Sequence, residues 1–226
     1  MKKYAIIVAA GSGSRMGSPL PKQFLQIHQK PILWYTLHTF LKSFKDIHIV
    51  LVLPAEYYET GVAICEEINA ANPIETTVGG DTRFHSVQKG LSFIREPSVV
   101  FIHDAVRCLL SPSLIHHCYE ETIRFGSAIP CIESKDSVRI LHESGHRSVS
   151  RTDIRLMQTP QTFLSEIILP SYNVGYNEIF TDDASVAEAS NHSIHLVEGE
   201  VNNIKITNPL DLAIAEELLE PPTHSA

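Results

Sequence analysis

The chain has 226 residues, 43% of them hydrophobic, which is enough for one large α/β domain with a full core. Its formal net charge of −8 excludes a general nucleic-acid binder, whose footprint would be basic, so any phosphate ligand must be held by local cations. Four scattered cysteines without a Cys-x-x-Cys pair point to reduced thiols, and twelve histidines without a His-Glu-x-x-His give no zinc centre; no apolar run is long enough to span a membrane or serve as a signal segment, so a cytosolic protein is expected.

The first predicted element is a buried strand over residues 4–10, which opens into Gly11-Ser12-Gly13-Ser14-Arg15-Met16-Gly17 and then Pro21-Lys22-Gln23. Glycines let the backbone bring bare N–H groups close to an anion, and Arg15 and Lys22 add two cations that reach the same place, so the loop reads as a binder of a nucleoside triphosphate. The dinucleotide fingerprint is disfavoured because Met16 stands where its third glycine belongs, and the Walker loop fails for want of a Gly-Lys-Ser/Thr. The alternative is a Gly-rich strand-to-helix turn with solvated cations.

Further strands are expected at 47–53, 99–103 and 127–132, with helices at 32–44, 57–70, 86–94 and 112–125 between them. Short, nearly continuous apolar strands alternating with helices imply a mostly parallel sheet covered on both faces, with ligands beyond the carboxyl ends of the strands. His116 and His117 are adjacent and face different sides of a helix, and most histidines are read as surface residues. Between two of these elements, Gly79-Gly80-Asp81-Thr82-Arg83-Phe84-His85-Ser86 introduces a helix: Gly80 permits close approach to a flat base, and Asp81 and Ser86 offer polar groups for its edge or caps for the helix. Arg83 is given an ion pair with Asp81.

Asp104 falls at the carboxyl end of the 99–103 strand, where a carboxylate holds Mg²⁺ or else pairs with Arg107 or caps the next turn. Residues 136–141 and 147–150 form a hairpin that buries little by itself, projects from the domain and packs on another subunit or simply lies on the surface. An apolar segment at 156–163 follows, then helices near 164–175 and at 182–190 and a strand at 194–198. Arg151 and Thr159 supply a cation and a hydroxyl after the ribbon, each more economically read as solvated. Thr181-Asp182-Asp183-Ala184 is read as a helix N-terminus. Lys205 is placed on a strand between Ile204 and Ile206, facing a cleft or solvent, and the last helix takes Asn208 as N-cap, Pro209 as first residue and Asp211 in its first turn. One domain over 1–220 is expected, with 135–150 as its arm and 221–226 as a flexible tail.

Ala9-Ala10-Gly11-Ser12-Gly13-Ser14-Arg15-Met16, Pro21-Lys22-Gln23, Gly79-Gly80-Asp81 with Arg83 and Ser86, His103-Asp104-Ala105, Arg151-Thr152, Gln158-Thr159-Pro160-Gln161, Thr181-Asp182-Asp183-Ala184 and Asn203-Ile204-Lys205-Ile206-Thr207 together resemble the 2-C-methyl-D-erythritol 4-phosphate cytidylyltransferase family over nearly the whole chain. The opening loop alone is shared with many sugar-nucleotide pyrophosphorylases; the later blocks are more restrictive. The resemblance implies a Rossmann-like nucleotidyltransferase fold, a homodimer with interlocking ribbon arms, and transfer of a cytidylyl group from CTP to the polyol phosphate of non-mevalonate isoprenoid synthesis. It also implies residue roles. Arg15 and Lys22 stabilise charge at the triphosphate, Asp104 binds Mg²⁺, and Arg151, Lys205 and Thr159 position the substrate phosphate. Ala10, Gly11, Gly13, Gly80, Asp81 and Ser86 hold the nucleotide.

Two departures are visible: Val106 and Cys108 replace the Ala and Pro that often follow Asp104 in the family, and the approach to the ribbon is longer than its usual Pro-x-x-Asp-Thr. The alternatives are a relative acting on another polyol phosphate, such as ribitol 5-phosphate, and a non-catalytic nucleotide-binding protein. Retention of Arg15, Lys22 and Asp104 together speaks against the latter, since binding alone does not require all three.

Overall fold

A computed structural model describes residues 1–11 and 20–221. Gly13 and Arg15 of the phosphate loop, and all of the tail except Pro221, lie outside the described residues. The chain opens with β1 (Lys2–Val8), then a short hairpin of β2 (Gln26–Ile27) and β3 (Lys30–Pro31), α1 (Ile32–Ser43), β4 (Ile47–Leu53), α2 (Tyr58–Ile68), β5 (Glu75–Val78) and α3 (Arg83–Leu91). It continues through β6 (Ser98–Asp104), α4 (Pro112–Phe125), β7 (Ser127–Glu133), β8 (Val138–His142), β9 (Gly145–Val149), β10 (Arg155–Met157) and β11 (Gln161–Leu164). The last elements are α5 (Ser165–Ser171), α6 (Asp183–Ala189), β12 (Leu196–Glu198) and α7 (Pro209–Leu218).

The main sheet runs β10-β7-β11-β6-β1-β4-β5, with β12 alongside β7. Pairing is parallel from β5 through β4 and β1 to β6, and β11 is inserted antiparallel between β6 and β7. The apolar runs of the central strands follow from burial on both faces. Ile7, Leu51 and Phe101 pack with Leu33, Leu37 and Phe40 of α1 and Ile115 of α4, whereas Ile6, Val50 and Ile102 face Val87 and Leu91 of α3, Ile168 of α5 and Val186 of α6. Among the described residues no helix is long and apolar enough to cross a membrane.

Most expected elements are present within a residue or two. The 156–163 segment is two strands rather than one, because β10 pairs with the far end of β7 and β11 with β6, with the Gln158 N–H bonded to Pro130 O (2.8 Å) between them. Lys205 is not on a strand: residues 203–207 have no regular secondary structure and are tied to the turn after β6 by the Ile206 N–H donating to Val106 O (3.0 Å). The α7 start matches its reading. Asn208 accepts from the Asp211 N–H (3.1 Å), the Asp211 carboxylate accepts in return, and Pro209 opens the helix. β8 and β9 pair with each other and with no other strand among the described residues, and Leu141 near their turn is 78% exposed. The four cysteines are free.

Candidate active site

A cleft of about 450 Å³ opens at the carboxyl ends of β1 and β6, opposite the N-terminus of α3. Its walls include Ala10, Gly11, Lys22, Gly80, Asp81, Ser86, Asp104 and Lys205, so the described residues expected to handle the nucleotide, the metal and part of the phosphate chemistry converge on one space. Two pins fix its first wall. Gln23, 2% exposed, donates from Nε2 to Ala9 O (2.6 Å) and Gly11 O (2.9 Å), and Lys22 reaches across to Ile206 O (2.8 Å). Gln23 therefore joins the two ends of the phosphate loop, a role that its place beside Lys22 in the sequence did not reveal.

The opposite wall is the turn into α3. Thr82, rather than Asp81 or Ser86, is the N-cap: its side chain accepts from the His85 N–H (3.3 Å). Ser86 instead accepts from the Gly80 N–H (3.1 Å) and donates to Thr82 O (3.0 Å), which fixes the glycine turn from within the helix. Glycine is required at this turn by space: a Cβ on Gly80 would stand 2.4 Å from the Cβ of His85, and one on Gly79 2.4 Å from that of Ala10.

Asp104 ends β6 in the middle of the cleft floor, 8% exposed. Its Oδ2 accepts from Lys205 Nζ (2.9 Å) and lies 3.7 Å from Arg107 Nε, while its Oδ1 lies 3.3 Å from Arg83 Nε. Burial would raise its pKa, but Arg83, Lys205 and Arg107 outweigh that and hold the carboxyl well below the usual carboxylate range. Arg107 pairs with Asp104 as one sequence reading had it; Arg83 does not pair with Asp81, because its Nη1 and Nη2 form a two-pronged bond with Asp183 (2.9 and 2.7 Å). Asp183 is fully buried and also accepts from the Tyr172 hydroxyl (2.6 Å). The N-cap that the sequence assigned to this stretch is Asp182.

Behind the floor sits His103, the last residue of the strand read as covered on both faces, and it is fully buried. Its Nε2 lies 3.2 Å from the Arg107 carbonyl, which can only accept, so Nε2 carries the proton and Nδ1 accepts from the Thr159 hydroxyl (3.0 Å). Burial pushes the His103 pKa down to about 3, so the ring is neutral at working pH. Thr159 Oγ1 in turn accepts from the Asp104 N–H (3.1 Å), which places Thr159 beneath Asp104 rather than in the cleft wall. Without a proline after Asp104, the turn is held by the Arg107 N–H on Asp104 O (3.0 Å), the Ala105 N–H on Val8 O (3.1 Å) and Arg107 Nη1 on Asn203 O (2.8 Å).

Arg151 lies elsewhere. It is exposed on a short turn after β9 and, with Lys135, Arg155, Glu133 and Glu198, lines a second groove of about 820 Å³. Within one chain the structure does not bring it to Lys22 and Asp104. Cys108 and Cys118 are buried, with thiols pushed up to about 12, which makes neither a nucleophile.

Among the described residues no three His, Cys, Asp or Glu side chains gather to form a metal site. The donor set fits Mg²⁺ held mainly by ligand phosphates and water. Of the two carboxylates that line the cleft, Asp81 and Asp104, the second takes a single long contact from Arg83 on its Oδ1, which leaves a lone pair for a hard cation.

The family model described as 2-C-methyl-D-erythritol 4-phosphate cytidylyltransferase matches residues 4–221. A protein of that name from Bacteroides fragilis is 45% identical over 97% of this chain and all of its own length, and one from Bacteroides thetaiotaomicron is 43% identical over the same shares. The crystal structure of 4-diphosphocytidyl-2C-methyl-D-erythritol synthase from Anaerococcus prevotii is similar with a TM-score of 0.82 and 28% identity, covering 96% of this chain and 97% of that one.

Proposed function

The chain belongs to the 2-C-methyl-D-erythritol 4-phosphate cytidylyltransferase family, and from that premise we propose that the cleft between Lys22, Ser86, Asp104 and Lys205 is where it transfers a cytidylyl group from CTP to the polyol phosphate. The activity serves non-mevalonate isoprenoid precursor synthesis, and its products are 4-diphosphocytidyl-2-C-methyl-D-erythritol and pyrophosphate. The reading rests above all on the grouping of Arg83, Arg107 and Lys205 around the carboxylate of Asp104, in a cleft that Lys22 also lines.

A phosphate oxygen of the polyol phosphate attacks the α-phosphorus of CTP; that P–O bond forms, the bond to the β-phosphate bridging oxygen breaks, and pyrophosphate leaves with the electron pair. The attacking group is already an anion, so no side chain has to remove a proton. What the protein must supply is alignment and positive charge. Lys22, with Arg15 from the same loop, offsets charge on the triphosphate and the departing pyrophosphate. Gly80, Asp81 and Ser86 hold the base, and Ala10, Gly11 and Gly13 bring backbone N–H groups to the phosphates. Lys205 meets the polyol phosphate from the floor, and Thr159 acts through Asp104 by fixing its backbone. Mg²⁺, when bound, offsets phosphate charge, with Asp104 contributing one carboxylate oxygen.

We further propose that two copies pair in the cytoplasm through their 135–150 arms, so that Arg151 of each reaches the polyol phosphate in the other's cleft. A hairpin that pairs with no other strand among the described residues supports this, as do Leu141 exposed near its turn and Leu196 and Val201 exposed along the second groove. The test is pyrophosphate release with each of the four nucleoside triphosphates crossed against 2-C-methyl-D-erythritol 4-phosphate and ribitol 5-phosphate. Turnover with CTP and the methylerythritol phosphate is expected; preference for ribitol 5-phosphate or for a purine nucleotide would refute the assignment.

A further inference from the structure

Asp183 carries a charge in the core that the reaction does not use. We propose that it is a positioning residue: it aims the Arg83 guanidinium, and through it the carboxylate of Asp104, without touching substrate. The inference rests on the reading of the cleft as the transfer site.

Capping does not require Asp183, because Asp182 already accepts the Ser185 N–H (2.9 Å) and receives the Gln161 amide (2.8 Å). Stability does not require a charge there either, since a buried ion pair is often no better than well-packed apolar side chains of the same volume. What the pair adds is direction. Two parallel bonds fix the plane of the guanidinium, and that plane leaves Nε facing Asp104 Oδ1 while Lys205 keeps Oδ2.

The far end of the relay is itself held. Tyr172, which donates to Asp183, stacks on Phe84 at 4.7 Å between ring centres, Phe84 stacks on Phe180, and Gln161 of β11 accepts from the Ala184 N–H (2.8 Å) at the start of α6. Arg83 has a rigid acid on one side and a reactive-site acid on the other. With Asp183 neutralised, the freed guanidinium nitrogens turn to Asp104, the nearest remaining carboxylate, and pull it from Lys205.

Pyrophosphate-release kinetics and thermal melting of the full chain test this. Asp183→Asn is expected to lower kcat about 10–100-fold, the usual cost of losing a partner behind a site group. It should raise KM for the polyol phosphate more than KM for CTP, because the disturbance reaches Lys205 before the base pocket. The pair Arg83→Met/Asp183→Leu, an apolar swap that leaves the Tyr172 hydroxyl without its acceptor, is expected to fold with a lowered Tm and to be slowed at least about tenfold. Arg83→Lys keeps a cation but cannot span two carboxylates, and is expected to be slowed about tenfold as well, which carries the test if either other variant fails to fold.

Wild-type kcat in folded Asp183→Asn, an equal rise in both KM values with kcat intact, or kcat within about threefold of wild type in the apolar pair or in Arg83→Lys would each overturn the proposal. Wild type and Lys22→Ala are run alongside. An inactive wild type would sink the reading of the cleft, whereas active wild type with inactive Lys22→Ala leaves only the role of Asp183 in question.

Discussion

Asp104→Asn keeps the shape of the side chain and deletes the one negative charge that three cations share at 2.9, 3.3 and 3.7 Å. At an effective dielectric of about 20 each contact is worth about 5 kcal/mol of gross attraction, most of it offset by the burial of the carboxylate. Removing one partner of a buried pair typically costs about 3–5 kcal/mol. The lower figure applies, because Arg83 keeps Asp183, Arg107 keeps the Asn203 carbonyl, and Lys205, 39% exposed, can rehydrate. For a chain of this size about 3 kcal/mol is a fall in Tm of roughly 6–12 °C.

The pH dependence of that gap has a definite sign. The folded carboxyl lies well below its unfolded value of about 3.9, so its stabilisation is fully present above that value and is lost as pH falls below it. Melting curves of the two proteins between pH 3 and pH 8 should therefore run about parallel above pH 5 and converge below about pH 4. Turnover of Asp104→Asn should fall at least about 100-fold at every pH. Equal Tm values at neutral pH, or a gap that does not narrow in acid, would show that the cations do not lean on this carboxylate.

Lys22→Ala should lower kcat about 10²–10³-fold with the fold intact, read by pyrophosphate release and melting, because it removes one preorganised positive charge from the cleft. Gly80→Ala must displace His85, since its Cβ would stand 2.4 Å from that residue's Cβ; KM for CTP should rise well before kcat falls, and an unchanged KM would separate this turn from the base. Arg151→Ala should raise KM for the polyol phosphate more than for CTP, and mixing it with Lys22→Ala should restore activity in the one hybrid site that contains neither change; subunit exchange without recovery would assign Arg151 to its own chain. His103, held neutral with a pKa near 3 against about 6.5 unfolded, makes stability fall as pH drops below about 6.5, at up to about 1.4 kcal/mol per unit; His103→Gln should flatten that slope in acid melting curves.

The parts of this molecule that were legible in its sequence are those governed by near neighbours. The α7 cap is set by Asn208, Pro209 and Asp211 within one turn, and the central strands by unbroken apolar runs that only two covered faces explain. The cleft was legible too, since loops at the carboxyl ends of β1 and β6 must meet when those strands pair in parallel. Asp104 was placed there as well, but the pairs that Arg83 makes with Asp104 and Asp183 were not, because they span 21 and 100 residues and depend on how α3 and α6 lie across the sheet.

Local rules gave Arg83 and Asp183 plausible nearby partners, Asp81 and a helix dipole, and the fold overrode both, whereas the nearby partner read for Asp104, Arg107, is kept. Asp81 and Arg83 flank the α3 cap, and the guanidinium turns inward, where a buried carboxylate has no water to compete for it. His103 closes a strand read as covered on both faces, but its partners were not foreseen: a ring with one N–H on a carbonyl and one nitrogen on a hydroxyl from a distant segment is fully satisfied in the core. The residues that reasoning from sequence missed are therefore the ones whose partners arrive from distant segments. They form the support under Asp104, and Asp104 is the group on which the cleft's charge is centred.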